Sequence, residues 1–444
     1  MADGPHVLYV AWGFPPCRGG GVYRALATAN GLAAQGFRVT VLTATRETFI
    51  RHTGADLSLE QQVDPRITIE RIPFDWPIVE TDIRTWPLSR ALSPRAWRKA
   101  RIAADMRVFP EPSYGPWRHP LAAAARRIHR EHPVDLVVAT ANPNVDFVPA
   151  DVLHREHGVP YVMDYRDAWL LDVFTGDQLF DDNSDQALVE ATLLAGAQEV
   201  WFVNEPIRAW HQARYPATAS RMKVVSNGYD QEFAPKPRLT PTAPERPLTF
   251  GYIGTVSAKV PLAEFAQGWA LARSQDPLLD NAIARIHGYL GFYGSANQSM
   301  AALFRTHAAD GLVFGGPVPK ASIRDTYADF DALLLILGKG KYVTSGKVFE
   351  YAASALPIVA VHDPGNAATD VLREYPLWFP INDLSPEAIA AALHGAAAAA
   401  RQATEDTRQA CADFARRFER ARQLEPRLSE LRSLSSPQVT EGRS

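Results

Sequence analysis

Residues 345–360, SGKVFEYAASALPIVA, place a cation, Lys347, and a carboxylate, Glu350, at the start of a predicted helix. The apolar run 331–337 is typical of a central parallel strand, so the helix begins at the carboxyl end of a sheet, where α/β folds bind ligands. Lys347 and the free amides of a first helical turn suit phosphate, and a carboxylate can accept both hydroxyls of a ribose. The pattern indicates a nucleoside diphosphate site, unless Glu350 only complements the helix dipole.

Lysine is otherwise scarce in this chain. Of the 46 lysine and arginine residues only eight are lysine, and four of these eight are Lys320, Lys339, Lys341 and Lys347. Such a cluster is compatible with a solvated loop, but it also offers the point charges that bind phosphate.

The elements that would position these residues form two α/β halves. The run 6–12 is followed by a Pro/Gly loop, a helix over 22–36 and a strand over 38–44, which is the opening of a doubly wound parallel sheet. Further strands are predicted over 135–140, 160–165, 199–204, 222–227, 248–254, 284–291, 312–316, 331–337 and 358–361, with a helix near 261–274. We therefore expect an α/β fold of two Rossmann-like parallel-sheet domains facing each other across a cleft.

A proline-rich segment, 234–247, separates the two halves and is typical of a semi-rigid linker. The predicted boundaries are 1–233 for the N-terminal domain, 234–247 for the linker, 248–414 for the C-terminal domain and 435–444 for a disordered tail. Residues 385–432 are predicted to be long helix. The part from about 415 to 434 is expected to pack back on the first domain.

Composition excludes several classes of protein. A net charge of −3 argues against bulk nucleic-acid binding, and no apolar run reaches the ~18 residues that span a bilayer. The N-terminus enters a strand-like run without the regions of a signal peptide, and Cys17 and Cys411 form no motif. We therefore expect a cytoplasmic protein.

The stretch around Lys347 resembles the carboxyl-domain signature of GT-B glycosyltransferases, in particular glycosyltransferase family 4, whose members often carry Lys-x-x-Glu-Tyr and then Pro-Ile/Val-Val-Ala. Here the motif is Lys347, Glu350, Tyr351 and the run 357–360. Other segments are similar to the family in the same order: PPCRGGGVYR at 15–24, ATANP at 139–143, MDYRDAW at 163–169, SNGYD at 226–230, FGYIGTVSAK at 250–259 and GGPVPKASI at 315–323. The resemblance covers roughly residues 6–380.

The resemblance implies a hexosyltransferase-type enzyme that moves a sugar, with retention, from a nucleoside-diphosphate sugar to a hydroxyl of a glycan, lipid-linked acceptor or secondary metabolite. It assigns donor binding to Gly20, Gly21, Gly254, Thr255, Lys259, Val318, Gly346, Lys347, Val348 and Glu350. No Asp-x-Asp stands where a metal–diphosphate clamp would be expected, and Asp181 and Asp182 suit a surface loop. We therefore predict a metal-independent reaction without a cofactor.

Asp164, Arg166 and Asp167 follow a predicted strand of the first domain and are the candidate catalytic residues. They could recognise the acceptor or the donor sugar, with one carboxylate stabilising positive charge at the anomeric carbon. Alternatively, an Arg–Asp pair could brace the loop. Asn142 and Arg24 are candidate acceptor contacts, although Asn142 precedes a proline and suits a turn.

Two positions depart from the family pattern. Tyr342 stands where the family often has a second glutamate, and Gly254-Thr255 stands where Gly-Arg is common. These departures leave open a non-catalytic sugar-nucleotide-binding protein of the same fold, or a GT-B-like sugar-nucleotide epimerase. A dinucleotide-dependent oxidoreductase is disfavoured, because Arg24 replaces the last glycine of its fingerprint and no acid ends the second strand.

The segment 74–118 has an unusual composition. It combines Trp76, Trp86, Trp97 and Trp117 with Arg84, Arg90, Arg95, Arg98, Lys99, Arg101 and Arg107. It could lie on an anionic membrane surface, cover the acceptor, or pack as an insertion, and we favour the packed insertion. The first of these alternatives would place the protein peripherally at the inner membrane face.

Overall fold

The structure, a computed structural model, describes residues 4–232, 234–254, 256, 260–288, 294–319 and 322–434. The chain forms two compact units. It passes from the first unit to the second after Ser226 and returns to the first after Arg422, while the short segment 173–176 also belongs to the second unit. The proline-rich segment 234–247 therefore lies within the second unit.

The first unit is built on a parallel sheet with the described strand order β3-β2-β1-β4-β5-β6-β7. Its strands are β1 (His6–Val10), β2 (Arg38–Ala44), β3 (Thr68–Ile72), β4 (Leu136–Ala141), β5 (Tyr161–Tyr165), β6 (Glu199–Phe202) and β7 (Met222–Val224). Its helices are α1 (Val22–Ala34), α2 (Arg46–His52), α3 (Leu88–Leu92), α4 (Pro94–Val108), α5 (Arg118–Glu131), α6 (Val148–His157), α7 (Asp185–Gly196) and α8 (Glu205–Arg214). Inner strands such as β1 and β4 are buried throughout, as their continuous apolar runs predict.

The second unit contains a parallel sheet with the described order β10-β9-β8-β11-β12-β13. Its strands are β8 (Thr249–Ile253), β9 (Ile283–His287), β10 (Leu312–Gly316), β11 (Ala332–Ile336), β12 (Ile358–Val361) and β13 (Trp378–Phe379). Its helices are α9 (Leu262–Gln275), α10 (Gly294–Thr306), α11 (Ile323–Ala328), α12 (Lys347–Ala353), α13 (Ala367–Leu372), α14 (Pro386–Gln402) and α15 (Glu405–Arg416). The next helix, α16 (Arg420–Leu434), belongs to the first unit from residue 423 on. The prediction of two Rossmann-like parallel-sheet domains is confirmed.

Two edge strands, β3 and β13, were not among the predicted strands. β3 pairs with β2 from Thr40↔Thr68 to Ala44↔Ile72, and its residues are half-buried or exposed. The strand was missed because its sequence, TIERI, has too few apolar residues to be recognised as a buried strand. The predicted strand 284–291 ends at His287 in the structure, and residues 289–291 lie outside the described part.

The side chains of alternate residues of β11 pack into two apolar cores, one on each face of the second sheet. Leu334 packs in a cluster with Trp269 of α9 and Leu393 of α14. Leu333 packs in another cluster with Phe349 of α12 and Ala412 of α15. Strand alternation thus fixes the position of α12, the helix that carries Lys347 and Glu350.

The proline-rich segment 234–247 is anchored to the second sheet by Asp331, a fully buried carboxylate next to β11. Asp331 accepts hydrogen bonds from Arg238 at 2.7 Å, from the Thr242 hydroxyl at 2.8 Å and from the Thr249 amide at 2.8 Å. Arg246 also forms an ion pair with it. This segment is therefore held along the second unit by specific polar contacts.

The prediction of one long helix over 385–432 is wrong, because this segment forms three separate helices, α14, α15 and α16. Thr404 starts α15, where its hydroxyl accepts a hydrogen bond from the Thr407 amide at 3.2 Å. In α16, Leu424, Leu428 and Leu431 are buried in the core of the first unit. A terminal helix thus completes the unit with which the chain begins.

The segment 74–118 is packed only in part. Phe74, Trp76 and Tyr114 surround the ring of Trp12, with centroid distances of 5.6–5.7 Å. The helices α3 and α4 between these aromatic residues are largely exposed. No helix in the described ranges is long and apolar enough to cross a membrane.

Candidate functional site

An aromatic residue of the neighbouring strand holds Lys347 at the beginning of α12. β11 ends at Ile336, and the loop after it leads to α12, so Lys347 follows the carboxyl end of a central strand. Its Nζ donates a hydrogen bond to the Tyr252 hydroxyl at 2.8 Å and lies 4.3 Å from the ring centre. Burial lowers the pKa of Lys347 to about 8, while Glu350 acts in the opposite direction. Lys347 therefore stays mostly charged at neutral pH.

Glu350 lies one turn further along α12, where Tyr327 of α11 fixes it. The Tyr327 hydroxyl donates a hydrogen bond to Glu350 Oε2 at 3.2 Å. Burial raises the pKa of Glu350, and the Tyr327 hydrogen bond and the Lys347 charge oppose this rise. The Glu350 side chain is half-buried, and its Oε1 accepts no hydrogen bond within the described ranges. This oxygen is therefore available to a hydroxyl donor.

Gly254, directly after β8, makes room for Lys347. Its φ is +155°, and a Cβ at this position would lie 2.1 Å from both Cε and Nζ of Lys347. Any side chain here would displace the ammonium group from Tyr252. Gly346 comes directly before α12, and a Cβ there would meet open space. The structure thus groups Gly254, Gly346, Lys347 and Glu350 within the second unit.

The other predicted donor contacts are placed less favourably or fall outside the description. Val348 is fully buried in the core, and its amide donates a hydrogen bond to the Ser345 carbonyl at 3.1 Å. Both its side chain and its amide are thus engaged within the protein, and the donor contact of Val348 stays a prediction. Val318 is half-buried in the loop after β10. Thr255 and Lys259 lie outside the described residues.

In the first unit, the glycine-rich loop after β1 makes close contact with Arg166. The Arg166 guanidinium donates to the Ala141 carbonyl at 2.8 Å and to the Asn142 carbonyl at 2.6 Å. A Cβ on Gly21 would lie 1.4 Å from Nη1 of Arg166, whereas a Cβ on Gly20 would meet nothing within 4 Å. Arg166 therefore braces the carboxyl end of β4 against the loop, and a side chain at position 21 would displace its guanidinium group.

Asn142 and Asp167 form the exposed polar part of the same group. Asn142 Nδ2 donates to Asp167 Oδ2 at 3.2 Å, and both residues are exposed. They follow β4 and β5, which are neighbours in the sheet. The structure thus brings together Gly21, Asn142, Arg166 and Asp167 at the carboxyl ends of adjacent strands.

Asp164 and Arg24 occupy a different position from the one expected of ligand contacts. Arg24 Nε and Nη2 donate to the Asp164 carboxylate at 2.6–3.1 Å, and Arg24 Nη1 donates to the Val225 carbonyl at 2.9 Å. The side chains are 2% and 0% exposed. This bidentate buried pair ties α1 to β5, and the catalytic role of Asp164 and the acceptor role of Arg24 stay predictions.

Two buried carboxyl groups near this region were missed by sequence reasoning. Glu111 accepts hydrogen bonds from the amides of Asn144 and Val145, each at 2.8 Å, and burial raises its pKa to about 7. Asp146 accepts from the Trp12 amide at 2.7 Å, and burial raises its pKa well above the ordinary value. Each acid is isolated in sequence, so no motif marks either one. Tyr327 was missed for the same reason, whereas Tyr252 lies within the segment 250–259 but was not singled out as a site residue.

Among the described residues, no group of three or more histidine, cysteine or acidic side chains could hold a metal ion. Asp182 is exposed and forms an ion pair with Arg214 at 2.5 Å.

Comparison with known proteins agrees with this architecture. The family model for the glycosyl transferase 4-like domain matches residues 19–228. No curated protein matches the sequence. Three similar solved structures cover nearly the whole chain at 12–15% identity.

The first is a glycosyltransferase from Rickettsia africae, with a TM-score of 0.63 and 12% identity, covering 98% of this chain and 100% of that one. The second is HepE from Anabaena in complex with UDP, with a TM-score of 0.62 and 15% identity, covering 96% and 100%. The third is sucrose-phosphate synthase from Thermosynechococcus elongatus, with a TM-score of 0.61 and 12% identity, covering 97% and 98%. This chain therefore has the GT-B fold, and its residues 19–228 match the model of the glycosyl transferase 4-like domain.

Proposed function

We propose that this protein is a retaining, metal-independent glycosyltransferase of hexosyltransferase type, which moves a sugar from a nucleoside-diphosphate sugar to a hydroxyl acceptor. The observation that carries the proposal is the arrangement on α12. There, a tyrosine fixes a lysine and a second tyrosine fixes a glutamate one turn away. These two side chains match the two polar parts of a nucleoside diphosphate.

Lys347 would bind the diphosphate. As the bond to the sugar breaks, negative charge collects on the leaving diphosphate, and a fixed ammonium group stabilises that charge without needing a metal. The hydrogen bond to Tyr252 directs the ammonium group before the donor arrives. Gly254 supports the same geometry, since a side chain there would push Lys347 away.

Glu350 would accept hydrogen bonds from the ribose hydroxyls. Its Oε2 is bonded to Tyr327, so Oε1 is the atom that a diol would approach. The raised pKa of Glu350 means that burial disfavours its charged form, and hydrogen bonds from two hydroxyls would restore that form.

The first unit would contribute acceptor recognition. Asn142 and Asp167 are exposed and hydrogen-bonded to each other, so their remaining polar atoms can bind an acceptor hydroxyl. Because Asp164 is fully paired with Arg24, Asp167 is the one of these two carboxylates that is exposed to a ligand. Arg166 would position this group by holding the ends of β4 and β5 together.

The similar structures suggest which donor to test first. HepE from Anabaena was solved in complex with UDP-glucose, and the E. coli trehalose-6-phosphate enzyme was solved with UDP-2-fluoro glucose. At 15% identity these relatives share the fold but do not determine the ligand. UDP and UDP-glucose are therefore the leading candidates within a panel that also includes GDP and dTDP with their sugar conjugates.

The test is thermal stabilisation by each nucleotide, with and without EDTA, followed by a search for glycosylated acceptor. A ligand at 100 times its Kd stabilises the folded state by about 2.7 kcal/mol. We expect one nucleotide to stand out, an unchanged shift in EDTA, and a loss of the shift in Glu350→Gln. Glu264→Gln, an exposed glutamate of α9, is the matched control and should keep it.

The alternatives give different results in the same experiment. A non-catalytic binding protein would show the selective shift but would consume no sugar nucleotide with any acceptor. An epimerase would convert the free sugar nucleotide in the absence of an acceptor. If no nucleotide stabilises the protein, the transferase proposal fails.

A further inference from the structure

The helix α3 presents two leucines to solvent. Leu88 and Leu92 are one turn apart and are 74% and 77% exposed. Arg90, midway between them, points the opposite way and is buried, with its guanidinium donating to the carbonyls of Pro77 and Glu80. The leucines therefore share the outward side of α3.

Stacking holds α3 and α4 together as one surface. The Arg90 guanidinium lies 3.9 Å from the ring centre of Trp86 and 4.9 Å from that of Trp97, the latter on α4. A single residue, Ser93, separates the two helices. The helices α3 and α4 are therefore adjacent and fixed relative to each other.

The helix α4 carries many exposed basic residues. Arg101 and Asp105 of this helix form an ion pair at 2.8 Å, and Asp105 is buried. Four exposed basic residues form no ion pair within the described part of the chain: Arg95, Arg98, Lys99 and Arg107. The segment 77–108 contains seven basic and three acidic residues in a chain whose net charge is −3.

We propose that α3 and α4 bind the surface of a bilayer that contains anionic phospholipids. Arginine and lysine are attracted to anionic headgroups, and exposed leucines beside them gain by entering the boundary of the acyl chains. The same two features on one fixed surface match such a bilayer in both charge and apolar contact. This inference goes beyond the proposed transfer reaction, and it holds whichever donor the protein uses.

The test is cosedimentation of the full chain with vesicles of phosphatidylcholine alone or mixed with phosphatidylglycerol. We expect binding to the mixed vesicles only, and weaker binding as salt is raised. Arg95→Gln/Arg98→Gln/Lys99→Gln should weaken binding by at least about tenfold. Leu88→Ser/Leu92→Ser should also weaken vesicle binding. The difference in binding between this variant and the wild type should depend little on the salt concentration.

Matched variants on other surfaces control for a general loss of charge or apolar area. Leu188→Ser changes a leucine that is 55% exposed on α7, and Arg305→Gln removes an exposed charge on α10. Both should bind as wild type does. Absence of binding, equal binding to both vesicle types, or equal losses in the controls would overturn the proposal. So would a dimer that the Leu88→Ser/Leu92→Ser variant dissociates, because the surface would then bind a second copy of the chain.

Discussion

At the scale of single residues, each presumed ligand group of the second unit is held by a tyrosine. Tyr252 accepts a hydrogen bond from Lys347, and Tyr327 donates one to Glu350. A side chain fixed before its ligand arrives loses less conformational entropy on binding. The tyrosines therefore matter for the precision of the site, although neither was recognised as a site residue from the sequence.

The titration of Lys347 leads to a prediction about pH. Since its pKa is lowered to about 8, Lys347 is charged below that pH and neutral above it. We expect affinity for the cognate nucleoside diphosphate to fall by up to about tenfold between pH 7 and pH 9, because the charged fraction of Lys347 falls about tenfold over this range and a charged hydrogen bond contributes about 1.5–3 kcal/mol. Isothermal titration calorimetry at both values would measure this fall. Bound diphosphate favours the charged form, so the midpoint should lie at or above 8.

Lys347→Met should bind weakly at pH 7 and lose this pH dependence. Lys236→Met, which changes an exposed lysine elsewhere in the second unit, is the control and should behave as wild type. An affinity of the wild-type protein that stays constant between pH 7 and pH 9 would show that Lys347 does not bind the diphosphate.

At the scale of elements, the loop after β1 and the end of β4 are joined through Arg166. Its two hydrogen bonds to the carbonyls of Ala141 and Asn142 depend on the absence of a side chain at Gly21. Gly21 therefore leaves the space that the Arg166 guanidinium occupies.

Gly21→Ala should lower the free energy of unfolding by about 1–3 kcal/mol, because Arg166 must leave its two carbonyl partners. Urea denaturation of Gly21→Ala, Arg166→Ala and the double variant would test this mechanism. We expect the double variant to be little less stable than Arg166→Ala alone, since the clash disappears with the guanidinium. Fully additive losses would mean that Gly21 acts independently of Arg166.

Local patterns identified the elements better than the contacts between them. Continuous apolar runs predicted β1, β2 and β11, whereas β3 was missed because an edge strand needs few apolar residues. The break before α15 was also missed, since the alanine-rich sequence on both sides is compatible with one helix.

The candidate site was predictable only where its residues follow one another in sequence. Lys347 and Glu350 could be recognised together because they lie on one helix. The pairing of Arg24 with Asp164 spans 140 residues and depends on the order of strands in the sheet. No local pattern therefore distinguishes a buried carboxylate such as Asp164 from an exposed one such as Asp167.

At the scale of the whole molecule, α16 closes the core of the first unit. Leu428 is 1% exposed and packs in the same cluster as Leu32 and Phe37. Leu434 lies on the same helix but is 60% exposed. The helix thus offers an internal comparison between a core position and a surface position.

Leu428→Ala should destabilise the first unit by about 2–5 kcal/mol, because it leaves a cavity in a closely packed core. Leu434→Ala should change stability by less than about 0.5 kcal/mol. Differential scanning calorimetry of both variants would measure the difference. Equal effects of the two substitutions would contradict the role assigned to α16.

The return of the chain to its first unit also determines the order in which the protein can fold during synthesis. The second unit occupies an almost continuous stretch that ends at Arg422, so all of its main core has been translated before α16 is complete. The first unit, although its synthesis starts earlier, lacks Leu428 and Leu431 until the main core of the second unit has been translated. The first unit can therefore reach its native stability only after α16 has left the ribosome, whereas the second unit can fold before that.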